Sequence, residues 1–162
     1  MKNWMTSLIM LAISTSAQAE SYFKYGLGIF NSAKDNKVET KTIAIGQSEK
    51  WLGALLTQYE GGIWTDSRSD LGRSGSGYFG ISVGLDVQAG YIYSQALWGV
   101  AGISHIDSML GGHLQFNNDL GLGIRDCNGY SIGMNYKHIS SAGIFTPNQG
   151  RDFLMIKMGI PW

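Results

Sequence analysis

From Phe23 onward the chain alternates between apolar and polar positions. Phe23, Tyr25, Leu27 and Ile29 share one face of an extended chain, and Lys24, Gly26 and Gly28 share the other. Leu114, Phe116, Leu120, Leu122 and Ile124 likewise oppose Gln115, Asn117, Asp119, Gly121, Gly123 and Arg125. Ile132, Met134 and Tyr136 oppose Ser131, Gly133, Asn135 and Lys137, and Leu154, Ile156, Met158 and Ile160 oppose Phe153, Met155, Lys157 and Gly159. A period of two means strands with unlike faces. Eight such segments are legible, at about 22–31, 39–48, 51–64, 76–86, 90–104, 112–125, 129–140 and 152–162. The connections expected at 47–50, 86–89 and 126–129 are short, the last holding an Asn-Gly turn pair. Those at 32–38, 65–75, 105–111 and 141–151 are longer and polar. Short and long connections alternate, as the tight periplasmic turns and longer outer loops of outer-membrane barrels do. The expected fold is all-β: an eight-stranded antiparallel up-and-down transmembrane β-barrel with both termini on the periplasmic side.

Composition agrees with that pattern. Charged residues make up 15% of the 162, below the roughly 25% usual for soluble domains, and 23 residues are Gly. A soluble lipocalin-like barrel also has eight strands, but it turns its apolar side chains inward. Faces of Lys, Asp and Arg interleaved with Gly suit a narrow polar lumen better than a soluble surface. Twelve basic residues balance twelve acidic ones, and no basic run is present, which argues against nucleic acid as a partner. A single Cys excludes a disulfide framework and a Cys-based zinc cluster. At the N-terminus, Lys2 precedes an apolar run from Leu8 to Ile13, followed by Ala17-Gln18-Ala19. That order predicts a cleavable signal peptide over 1–19 and a single exported domain over 20–162. Trp51, Trp64, Trp98 and Trp162 are candidates for interfacial belts.

Parity singles out one chemical feature. Continuing the apolar face of Ile132, Met134 and Tyr136 reaches His138 and then Ser140. Asp152 shares parity with Leu154, Ile156 and Met158 on the next strand. A base, a hydroxyl and a carboxylate are thus expected to converge on the lipid-facing side at the outer rim. Polar groups there are costly at mid-membrane and cheap only near the interface, so a solvated girdle is the simpler alternative. The trio says more than any member. A serine needs a base to take its proton, and an imidazole needs a third group to hold its tautomer.

The string Tyr136-Lys-His138-Ile-Ser140-Ser-Ala-Gly143-Ile-Phe-Thr-Pro147-Asn148-Gln-Gly150-Arg-Asp152 resembles the signature of the lipid A 3-O-deacylase (PagL) family of outer-membrane enzymes. That pattern runs His-x-Ser, a short Ala-Gly stretch, Pro-Asn-x-Gly and then an acid. The resemblance implies Ser140 as nucleophile, His138 as general base and acid, and Asp152 as the orienting carboxylate. It implies Asn148 and the backbone near Gly143 as oxyanion donors, and Phe116 as the upstream aromatic beside the substrate. Two positions depart from the family: Asp152 stands where the family has Glu, and Ser141 where it has Asn.

The implied activity is hydrolysis of the 3-O-linked hydroxyacyl ester of lipid A in the outer leaflet, with no cofactor and no metal. Lipopolysaccharide is then the partner, the bacterial outer membrane the location, and a homodimer is left open. Phe116, Met134, Leu154 and Ile156 would line the acyl chain. Arg151 and Lys137 are candidates to meet lipid phosphates, Lys137 being equally a lumen residue paired with an acid. The alternatives are a non-catalytic small barrel with a structural or adhesin role, and a lipid A acyltransferase.

Overall fold

A computed structural model describes residues 18–29, 32–33, 36–37, 40–51, 53–66, 75–106 and 109–162. Its barrel strands are β1 (Gln18–Ile29), β2 (Thr40–Trp51), β3 (Leu55–Asp66), β4 (Gly75–Ala89), β5 (Ile92–Ile103), β6 (Leu114–Arg125), β7 (Ser131–Ser140) and β8 (Arg151–Pro161). Each pairs antiparallel with its sequence neighbours, and β1 closes on β8 from Glu20 opposite Pro161 to Ile29 opposite Asp152. A two-residue hairpin, Ser32–Ala33 with Asn36–Lys37, stands in the first long connection. Closure leaves the eight barrel strands without an exposed edge. All but Gln18 and Ala19 of the expected signal segment lie outside the described residues, and these two pair with Lys50 and Glu49.

The two faces are the reverse of a soluble barrel. Phe23, Ile45, Phe79, Val83, Leu122 and Ile156 are exposed on the outside, while Lys24, Glu60, Gln95, Asp119, Lys137 and Lys157 are buried within. This excludes the lipocalin-like alternative and gives the outer surface an apolar band for lipid. The interior is packed. At the end holding the termini, Lys157 Nζ meets Glu20 Oε2 at 2.7 Å and Arg125 Nη2 meets Asp86 Oδ2 at 2.9 Å. In the middle, Lys24 lies 2.5 Å from Asp119 and 2.7 Å from Glu60, and Lys137 lies 3.0 Å from Glu60 and 3.3 Å from Asp119. Two cations and two carboxylates therefore neutralise one another away from water, and the Tyr22 and Tyr78 hydroxyls donate to Glu60. At the opposite end an apolar plug of Trp64, Tyr78, Ile103, Leu110, Ile139 and Phe153 fills the lumen.

Several expectations are corrected here. The turn expected at 47–50 lies further on, because β2 runs to Trp51. Ser48 and Lys50 are polar because they face the lumen: Ser48 Oγ donates to Glu20, and Lys50 Nζ lies 3.0 Å from Asp86. Asp86 likewise belongs to the strand, which continues to Ala89 before Gly90 turns the chain with φ 61°. Trp64 is not part of an interfacial belt; it is 1% exposed, its ring 5.7 Å from that of Tyr78. Lys137 is a lumen residue, as its pairing with Glu60 and Asp119 requires. Arg151 is also turned inward, forked onto Asp66 at 3.0 and 2.8 Å, so neither of these two cations is offered to a phosphate outside.

Candidate active site

The site is built where β7 ends and β8 begins, at the end of the barrel opposite the termini. Strand alternation sets its direction. Lys137, Ile139, Arg151 and Phe153 are buried in the lumen, so His138, Ser140 and Asp152 project outward and are half-buried. Ile139 and Phe153 are locked in the apolar plug, 0% and 1% exposed, and fix the backbone from which the outward side chains stand.

Register brings base and acid together. His138 and Asp152 are direct partners across β7 and β8, and such partners hold their Cβ atoms about 4.5–5.5 Å apart. That spacing suits the short Asp side chain: His138 Nδ1 lies 2.8 Å from Asp152 Oδ1. The same carboxylate oxygen accepts a second hydrogen bond from the Tyr136 hydroxyl. With Nδ1–H donated to Asp152, Nε2 is the nitrogen left to act as a base. Gly150 sits against the imidazole. A Cβ there would lie 2.7 Å from His138 Cε1 and 3.4 Å from Nε2, and its φ of 74° is one that side chains rarely adopt.

Ser140 stands two residues beyond His138 on the same face and opposite Phe116 on β6. Its hydroxyl makes no hydrogen bond to His138 among the described residues. Ser141 differs: it is buried, its Oγ donates to the Phe145 carbonyl at 3.1 Å, and it accepts from the Phe145 N–H at 3.3 Å. Asn148 folds the loop back, its Oδ1 accepting the Ser141 N–H at 2.7 Å, which leaves its NH₂ as the remaining donor. Ala142 and Gly143 follow with φ of 51° and 84°, reversing the chain just past the hydroxyl. The connection between β5 and β6 braces this loop: Gly111 N–H donates to the Pro147 carbonyl at 2.7 Å and Gln149 N–H to that of Met109 at 3.0 Å. Phe116, Met134, Leu154 and Ile156 are exposed beside the trio and form an apolar surface running toward the membrane centre. Among the described residues no three His, Cys, Asp or Glu side chains come together as a metal site.

A family model described as Lipid A 3-O-deacylase (PagL) matches residues 24–161, nearly the whole barrel. The chain belongs to this family. Among solved structures, it is similar to the crystal structure of the outer membrane enzyme PagL, with a TM-score of 0.68 at 22% identity, covering 88% of this chain and 99% of that one. A de novo designed transmembrane β-barrel gives a TM-score of 0.54 at 10% identity, covering 91% of this chain and 98% of the design. At such identities the likeness is one of fold. No curated protein matches the sequence. The family is that of a lipid A deacylase, and the polar group on the barrel exterior is the part of this member that alternation alone does not explain.

Two residues of that group escaped the sequence reading. Tyr136 reads as one more lipid-facing aromatic, and only the register shows its hydroxyl reaching the carboxylate. Asn118 follows Asn117, which hides its parity. It faces outward on β6, directly across from His138, between Phe116 and Leu120.

Proposed function

We propose that this chain hydrolyses the 3-O-linked hydroxyacyl ester of lipid A in the outer leaflet of the outer membrane, with Ser140, His138 and Asp152 as its catalytic residues. The observation that carries this reading is the 2.8 Å contact between His138 Nδ1 and Asp152 Oδ1 on the lipid-facing side. An imidazole and a carboxylate on a lipid-facing surface are costly to place there, which makes them candidates for a functional site.

The chemistry follows from the arrangement. A lipid A molecule lies against β6–β8 with its ester at the depth of the loop-side strand ends. Ser140 and His138, two residues apart, have Cβ atoms roughly 6.5–7 Å from each other. Side chains of their combined length close that gap when substrate and rotamers settle, and such bonds are commonly loose before substrate binds. Ser140 Oγ attacks the ester carbonyl carbon while Nε2 of His138 takes its proton. Asp152 stabilises the resulting imidazolium. Negative charge on the carbonyl oxygen is met by the Asn148 NH₂ and by backbone N–H groups near Gly143. The bond to the sugar oxygen breaks, and Nε2 returns the proton to that oxygen. Water then attacks the acyl-serine, with Nε2 again taking and returning one proton, and the fatty acid leaves.

Mass spectrometry of lipid A from membranes with the wild-type barrel and with Ser140→Ala tests this. The expected result is loss of one hydroxyacyl chain with wild type and intact lipid A with the variant. Full deacylation by Ser140→Ala overturns the assignment. A second reading, a non-catalytic barrel, draws on the absence of a Ser140–His138 hydrogen bond and predicts unchanged lipid A in both; an acyltransferase predicts a gained chain.

A further inference from the structure

The triad leaves one outward polar side chain in this neighbourhood unused. Asn118 belongs to a lateral row of direct partners across the barrel exterior: Ile29 on β1, Asp152 on β8, His138 on β7, Asn118 on β6 and Trp98 on β5. Along its own strand it stands between Phe116 and Leu120, both exposed to lipid. Its neighbours on the exterior are Phe116 and Leu120 along the strand, Trp98 on one side and His138 on the other. It is half-buried, and no hydrogen bond ties its side chain to another described residue. An amide without a partner in contact with hydrocarbon is unfavourable, and such residues are by default candidates for a binding role.

Position says what it could bind. Ser140 pairs with Phe116, so Asn118 is one diagonal step from the nucleophile, displaced toward the membrane centre. Diagonal partners have Cα atoms about 7–8 Å apart, with Cβ atoms somewhat closer. The acyl chain of an ester held at Ser140 must run in this same direction, since its carbonyl lies at the boundary and its tail in the hydrocarbon. The carbonyl carbon and the two carbons after it cover roughly half of that diagonal, and a hydrogen bond from a carboxamide covers the remainder. The third carbon of the chain is therefore the atom that passes Asn118. An amide can both donate to and accept from a hydroxyl, and has nothing to offer a methylene.

We propose that Asn118 is a specificity-determining residue that reads a hydroxyl at the third carbon of the scissile acyl chain. The inference rests on the function proposed above, because it needs the ester at Ser140. It predicts that chains hydroxylated at this carbon are cleaved in preference to plain chains of equal length.

The test uses the full folded barrel in detergent micelles and two synthetic glucosamine 3-O-esters that differ only in the hydroxyl at the third acyl carbon. The readout is the ratio of their kcat/KM values. Wild type is expected to favour the hydroxylated ester by about fivefold, the factor that one neutral hydrogen bond supplies. Asn118→Leu is expected to bring the ratio close to one, and Asn118→Gln to restore part of the preference. A wild-type ratio near one overturns the proposal, as does a ratio that Asn118→Leu leaves unchanged, including the case where both rates fall together. Ser140→Ala is run alongside. If it cleaves both esters at the wild-type rate, the failure belongs to the active-site assignment; if it is inactive and the ratio does not move, the failure belongs to Asn118.

Discussion

Replacing Gly150 with Ala is the sharpest perturbation of the geometry, because its effect on the imidazole can be separated from its effect on the chain. The new Cβ would stand 2.7 Å from His138 Cε1, where ordinary contact begins at 3.4 Å, so the ring must retreat by about 0.7 Å. It would also stand 3.4 Å from Nε2, the nitrogen required to take the serine proton. A misplacement of order 1 Å costs about a hundredfold in rate. We therefore expect kcat/KM for acyl release to fall by about 30- to 100-fold. The backbone contributes separately. A φ of 74° costs a residue with a side chain about 1–2 kcal/mol, which lowers stability without touching the chemistry. Gly53→Ala is the matched control: its φ is 79°, a Cβ there meets nothing within 4 Å, and it lies in a turn at the far end of the barrel. Acyl release from purified lipopolysaccharide, followed by mass spectrometry, is measured for both variants together with urea unfolding in detergent. Similar losses of stability, with a large loss of activity only in Gly150→Ala, are the expected outcome. Wild-type activity in folded Gly150→Ala would refute the placement of His138.

Three further outcomes are expected. Asp152→Asn presents an amide to Nδ1 and removes the charge that steadies the imidazolium, so kcat should fall by about 10²–10⁴ with lipopolysaccharide binding retained, as read from separate kcat and KM values. Tyr136→Phe deletes the second hydrogen bond to Asp152 and should lower kcat/KM about three- to tenfold while urea unfolding stays at the wild-type midpoint; an unchanged rate would make Tyr136 a bystander. Lys137→Met leaves Glu60 and Asp119 sharing Lys24 alone and should destabilise the barrel by about 3–5 kcal/mol, checked by equilibrium unfolding; a wild-type midpoint would show that the interior tolerates an unpaired carboxylate.

The alternation of side chains made the barrel legible from the sequence, since a polar lumen and a lipid exterior impose opposite demands on successive residues. It also placed His138, Ser140 and Asp152 on one parity. The errors share one cause: polarity near a strand end has two sources, a turn or the lumen. Ser48, Lys50 and Asp86 sit where a turn is expected, but across the interior Ser48 answers Glu20, and Asp86 answers both Lys50 and Arg125. Nothing near Arg151 in the sequence shows that it is taken, because its partner Asp66 is 85 residues away in the chain. Trp64 is apolar on an inward parity, and only the apolar plug above the ion pairs explains it. Asn118 and the Tyr136 hydroxyl depend on register between strands, which a period of two does not fix.

If Ser140 is the nucleophile, activated by His138 on the outside of the barrel, it must react where other serines do not. Labelling the folded barrel with a phosphonate that reacts with activated serines, then mapping the adduct by peptide mass spectrometry, tests it directly. The expected adduct is on Ser140, lost in both Ser140→Ala and His138→Ala. An adduct on Ser141, or inactivation by the phosphonate with Ser140 unmodified, would contradict the account.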